Sequence, residues 1–122
     1  MVDIRLKLGA DEFVRYLSSS NAVKEFQTAK GQFDNNPAIV NMRGEYTTLA
    51  KAYQEKERSG TVTQDDISGL RTVQKNFNAH PATERYGRAQ QALIMLLQEC
   101  NGTISEGLGF DFAATAAPAA SC

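Results

Sequence analysis

Tryptophan is absent from this chain, and most ingredients of a catalytic or metal-binding site are nearly so. Its 122 residues include one histidine, two cysteines and three prolines. A catalytic or metal-binding histidine needs convergent carboxylate, thiol or second-histidine partners. None sits beside His80, which closes one segment and precedes Pro81, so a structural or exposed role is expected of it. Cys100 and Cys122 are too few for a disulfide scaffold and suit a reducing compartment. The scarcity of proline leaves room for long helices. An excess of one charge is also missing. Lys and Arg number 13 against 14 Asp and Glu, a net charge of −1, which excludes the one-sided basic surface of a nucleic-acid binder. The longest wholly apolar run before Leu108, Ala92 to Leu97, is far short of the ~20 residues a membrane span needs. The opening residues carry Asp3, Arg5 and Lys7 where a secretion signal would be apolar. A cytoplasmic protein is expected. No glycine-rich phosphate loop, nucleophile elbow, zinc motif or paired catalytic carboxylates occur.

What is present is helical periodicity. Between Pro81 and Leu108, Tyr86, Ala89, Leu93, Leu96, Cys100, Thr103 and Gly107 recur at steps of three and four and line one side of a helix. Ala92, Ile94, Met95, Leu97, Ile104 and Leu108 widen that stripe. A helix apolar over so wide an arc needs more than one covering neighbour. Unbroken, it would run about 40 Å, beyond the ~30–35 Å width of a compact domain of this size. Part of it therefore lies outside its own chain's cover, and a second chain is the natural cover. Leu93 and Leu97 are expected to be buried, and Tyr86, Leu93, Leu96 and Ile104 are the candidate positions for contact between subunits.

Upstream, Val2, Ile4, Leu6 and Leu8 alternate with charged residues, a period of two that reads as extended chain. Residues 1–9 are expected to form a flexible or extended arm. Ala10, Phe13, Val14 and Leu17 mark a short helix that Ser18 to Ser20 interrupts, with Ser20 the N-cap of the next segment. That segment carries Val23, Phe26, Ala29 and Phe33. Asn36-Pro37 is a start signal, N-cap followed by proline at the first helical position. Ile39, Met42, Tyr46, Leu49 and Tyr53 follow at steps of three and four, which suits a coiled-coil-like hairpin partner for the last helix. Gly60 suits a left-handed helix end. Thr63 and Asp66 form a capping-box pattern, and Ile67, Leu70, Val73 and Phe77 give the next apolar face. The short links make consecutive helices antiparallel neighbours.

The expected architecture is all-α, an antiparallel bundle of four to five helices with a long helical hairpin, oligomerising through the long helices. A single domain spans residues 10–112, and residues 113–122 form a disordered low-complexity tail. Asp65 and Asp66 are ordinary partners of a helix N-terminus. Cys100, on the apolar stripe, behaves as a small hydrophobe. Cys122 is an accessible thiol. An iron–sulfur cluster takes four thiolates, so one tail cysteine per chain would need several chains.

Ser20-x-x-Val23-x-x-Phe26-x-x-Ala29 resembles the "S-x-x-Y-x-x-Y-x-x-A" start of the YlbF/YmcA/YheA family of small helical bacterial proteins, with Val23 in place of the first aromatic. Phe33-Asp34-Asn35-Asn36-Pro37 is similar to that family's break before a proline. Asn78-Ala79-His80-Pro81 with Tyr86-x-x-Ala89 resembles its entry to the last helix, and Gly109-Phe110-Asp111-Phe112 its closing signature. The resemblance implies a helical protein that self-associates as a homodimer or higher oligomer and regulates without catalysis. Members are linked to competence, sporulation and biofilm decisions, in a complex that adjusts RNA processing by ribonuclease Y. The implied partners are therefore the chain itself, other regulators of the family or an RNA-processing enzyme, with no membrane and no direct nucleic-acid contact. Some members bind iron–sulfur clusters through C-terminal cysteines. Cys122 stands where such a ligand would be, which makes a redox or iron–sulfur sensor the alternative reading. The closely spaced cysteine pair of those members is missing here.

Overall fold

Helix boundaries fall where side chains can satisfy the free N–H groups of a first turn. A computed structural model describes residues 2–118. It contains six helices: α1 (Ile4–Ser19), α2 (Asn21–Asn35), α3 (Pro37–Ser59), α4 (Gln64–Ala79), α5 (Pro81–Leu108) and α6 (Phe112–Ala116). Among the described residues there is no strand. Three junctions consist of one residue each, and in each that residue caps the next helix. The Ser20 Oγ accepts from the Val23 N–H at 3.3 Å, and the Asn36 Oδ1 from Ala38 and Ile39 at 2.9 and 3.3 Å. The His80 Nδ1 accepts from Ala82 at 3.0 Å, so its ring proton sits on Nε2. Pro37 and Pro81 each open a helix, where the missing N–H has no cost.

A one-residue link bends a helical rod without reversing it. The chain reverses at residues 60–63, after Gly60 takes the left-handed conformation at φ 70°. One leg therefore runs α1–α2–α3, and the other returns along it as α4–α5. Lys56 pairs with Asp66 beside the turn, Met42 and Tyr46 stand by Phe77 and Val73, and Phe33 meets Tyr86 further along. The structure thus corrects two expectations. Helices joined by single residues are not antiparallel neighbours, and α3 packs along α4, while α5 packs along α2. The one link able to reverse the chain decides which helices pair.

The turn is held by the expected capping box. Asp66 N–H donates to Thr63 Oγ1 at 3.3 Å and Thr63 N–H to Asp66 Oδ2 at 2.9 Å. The Lys56 ammonium, 2.7 Å away, and then the Thr63 N–H hold the Asp66 carboxyl down at about 2. An unfolded aspartate titrates near ~3.9. A lowered folded value contributes stability that is present above the unfolded value and lost as pH falls through the folded one. A carboxyl titration by NMR should place Asp66 near about 2, and Lys56→Met should move it back up. An Asp66 that titrates normally in the parent protein would contradict the pairing.

The two legs meet in an aromatic cluster. Phe33 lies 4.8 Å from Tyr86 and 5.6 Å from Phe77 between ring centroids, and Phe26 lies 5.7 Å from Tyr86. The Arg43 guanidinium sits 4.5 Å above Phe33. Arg43 also reaches Asp34 at 3.6 Å, across the α2–α3 bend. Ala29 and Ala89 are buried on the facing helices α2 and α5. With Ile39 and Val73 they are the buried hydrophobic residues of the described chain. The molecule exposes 9405 Å², against about 6,500 Å² for a compact monomer of its mass.

Both termini differ from expectation. Residues 4–9 belong to α1 and do not form an extended arm. Asp3 caps the helix, accepting from the Arg5 N–H at 2.7 Å, and Leu6 prolongs the Ala10, Phe13, Leu17 stripe by one more step of four. An isolated strand would have found no partner for its backbone. At the other end, Asp111 caps α6, so residues 112–116 are helical and the expected disordered tail does not begin at 113. Residues 119–122, with Cys122, lie outside the described residues.

Candidate protein interface

The uncovered apolar surface concentrates at the open end of the hairpin. No residue of α1 is buried, and Ile4, Leu6 and Tyr16 are about 70% exposed. Alongside, α5 leaves Ile94, Met95, Leu97 and Leu108 exposed, and the chain beyond it exposes Phe110 and Phe112. Phe13 of α1 faces Leu96, Cys100 and Ile104 of α5 across an open cavity of about 300 Å³. Apart from its junction with α2, α1 has no substantial packing within the chain. A 16-residue helix without tertiary cover is marginal in water.

The proposed subunit-contact residues divide. Tyr86 is half-buried against Phe26 and Phe33 of its own chain. Leu93, Leu96 and Ile104 are half-buried on the same side of α5. Leu97, expected in the core, is 45% exposed. It shares an exposed flank of α5 with Ile94 and Leu108.

The C-terminal signature has a local role. Gly109 ends α5 in the left-handed conformation, with its N–H on the Ser105 carbonyl. The Asn101 Oδ1 accepts from Ser105 Oγ at 3.2 Å and from the Ala113 N–H at 2.9 Å, and Ser105 Oγ accepts from the Phe112 N–H at 2.8 Å. Hydrogen bonds from the Ala114 N–H and then from Asn101 hold the Asp111 carboxyl below its usual range. These bonds fold α6 back on α5 and set Phe112 at the open end. Asn101→Ala should free α6, at about 1 kcal/mol per lost bond. Hydrogen exchange over residues 112–116 should then accelerate while α2 and α4 remain unchanged. Unchanged exchange in α6 would contradict this role.

A second uncovered surface lies between α3 and α4, where Met42, Tyr46, Val73 and Phe77 line a groove of about 460 Å³ with Arg43 at its edge. Ion pairs lie elsewhere on the surface. Arg85 donates from Nε and Nη2 to the two Glu25 oxygens at 2.8 and 3.2 Å and from Nη1 to Gln32. The Arg85 hydrogen bond lowers the Glu25 carboxyl, and the Lys30 bond, assisted by Arg43, lowers Asp34. These shifts come from ion pairs on the surface. Among the described residues no three side chains of metal-ligating type gather in one place. Cys100 is half-buried in α5, and Cys122, the candidate cluster ligand, lies outside the described residues. No helix among the described residues is long and apolar enough to cross a membrane.

The family model described as "Control of competence regulator ComK, YlbF/YmcA" matches residues 8–109. The chain belongs to the YlbF/YmcA family. A chain of the X-ray crystal structure of Bacillus subtilis RicA in complex with RicF has the same fold. It superposes with a TM-score of 0.70 at 14% identity, over 88% of this chain and 96% of that one. No curated protein matches the chain. The residues that carry the YlbF/YmcA resemblance build the fold: Ser20 caps α2, Pro37 and Pro81 open α3 and α5, and Phe26 packs on Tyr86. Ala29 and Ala89 are buried, while Gly109, Asp111 and Phe112 form the α5–α6 turn. The first half of α1, with Ile4, Leu6 and Leu8 exposed, does not read as helix from its alternation alone. Its usable signal was Leu6, four residues before Ala10.

Proposed function

We propose that this YlbF/YmcA chain is a non-catalytic cytoplasmic regulator that acts by binding other proteins, both copies of itself and further regulators. The observation that carries the reading is the apolar surface left open on α1, on the outer flank of α5 and in the α3–α4 groove. Exposed apolar patches of this extent mark interaction sites. The RicA–RicF crystal structure, with the same fold, is an instance of a complex built on it. The finer reading, that the assembly modulates an RNA-processing enzyme such as ribonuclease Y and through it developmental decisions, is supported by family membership.

Capture of the tagged full chain from its own host, followed by mass spectrometry, tests both levels. Recovery of other YlbF/YmcA chains or of an RNA-processing nuclease is expected. Tyr46→Ala, at the α3–α4 groove, should weaken that recovery. Recovery of the chain alone, at any salt concentration, would contradict the regulatory reading.

A further inference from the structure

We propose that the groove between α3 and α4 is a docking site for an amphipathic helix of a partner protein, one that carries apolar residues a turn apart with Asp or Glu beside them. This rests on the reading above that the chain works through protein contacts, and it names the place and the chemistry of the occupant.

The chain reverses between α3 and α4, and the two helices leave about 460 Å³ open along their contact. Met42, Tyr46, Val73 and Phe77 supply the apolar part of the lining. They recur at a step of four on each helix, so the apolar floor follows the helix axes. Val73 is buried, Met42 and Phe77 are half-buried, and Tyr46 is exposed. Val40, also exposed, lies one turn from Arg43 and two from Thr47 and carries the apolar surface outward. The walls are helices, whose backbone groups are already bonded to each other, so an extended peptide finds no edge to pair with. A third helix finds a furrow that its side chains can enter, the mode in which amphipathic helices are bound.

The rim selects the sign of the partner. Residues 38–53 of α3 and 67–79 of α4 carry the cations Arg43, Lys51, Arg71 and Lys75 and a single acid, Glu45. Glu45, two positions from Arg43, falls on the opposite side of α3. Arg43 itself lines the groove. Lys51 is one turn beyond Thr47, Arg71 one turn before Gln74, and Lys75 one turn before Asn78, and those three residues line it too. All four cations are exposed. Arg43 is shared with Asp34, but among the described residues Lys51, Arg71 and Lys75 have no salt-bridge partner. On a chain of net charge −1 this is a local excess, and it complements acidic flanks on an incoming helix. RNA is the poorer fit. Successive bases stack on exposed aromatic faces, and among the lining residues Tyr46 alone is an exposed aromatic.

Selection of helical peptides from a randomised display library against the full chain tests the assignment. Recovered sequences should carry Leu, Ile, Met or Phe at i and i+4 with Asp or Glu beside them. For one such peptide, synthesised, the double variant Arg71→Glu/Lys75→Glu should raise the dissociation constant about tenfold, and Tyr46→Ala should do the same. These three side chains are exposed, so each variant should keep the parental circular dichroism. Amide NMR signals of residues 42–47 and 73–78 should shift on binding while those of 4–19 stay in place. Enrichment of basic or neutral sequences would overturn the proposal, as would an empty selection, peptides indifferent to both variants, or oligouridine that occupies the groove where acidic peptides do not. Capture from the host is read separately. A chain that captures regulators but whose groove selects no acidic helix overturns the docking assignment alone. An acidic helix selected at the groove, with nothing captured from the host, supports the docking chemistry and counts against the regulatory reading.

Discussion

Ile39→Ala is expected to lower the free energy of unfolding by about 4 kcal/mol. Ile39 is 0% exposed, the largest side chain so fully enclosed. It sits in the first turn of α3, where Asn36 caps its N–H and Pro37 fixes the chain direction. The surrounding backbone is therefore held on both sides and has little freedom to collapse into the space left by three carbons. Both the lost transfer energy and the cavity contribute. Against a total of roughly 5–15 kcal/mol for a domain, the loss removes a large share of the stability. Urea unfolding followed by far-ultraviolet circular dichroism is the suitable probe, since tryptophan is absent. Parent and variant must be compared at one protein concentration, because association stabilises the folded form. A loss below about 1 kcal/mol would show that the site is not enclosed.

Phe33→Ala should cost about 3 kcal/mol, the lower end of the range for removing a buried ring, because Phe33 is only half-buried. Its effect reaches further than its burial suggests. Phe33 touches the Phe77 ring from α4 and the Tyr86 ring from α5, and carries Arg43 from α3 on its face. One side chain thus joins both legs on either side of the two bends. Phe33→Leu keeps most of the volume and loses the ring geometry, so it should cost about 1 kcal/mol, the worth of an aromatic pair beyond its area. Equal losses for both variants would mean that volume is irrelevant here and would contradict the packing described.

The elements were more legible in the sequence than their partners. Asn36-Pro37, Thr63 with Asp66, and Gly60 each announce a helix end through chemistry confined to four residues, and the structure uses all three as read. Pairing is a different kind of information. Glu25 and Arg85 are 60 positions apart, and neither has a local pattern that names the other. The stripe on α3 reads equally well as a partner for α4 or α5. Only the reversal at residues 60–63, set against three single-residue bends, chooses between them. The alternation of Ile4, Leu6 and Leu8 misled because a period of two over so few residues also fits a helix exposed on every side. Leu97 misled for a related reason. A periodic stripe shows that a face is apolar, and it does not show whether the cover comes from the same chain. The surface with the strongest claim to function is therefore the one where the two readings part.

Sedimentation equilibrium of the full-length protein over a wide concentration range is the most direct measurement. At micromolar concentrations the mass should be at least twice that of one chain, falling toward the single-chain value on dilution as the helicity of α1 declines. A single-chain mass at every concentration, with α1 fully helical throughout, would mean that one subunit tolerates this open hairpin alone, and the account would fail.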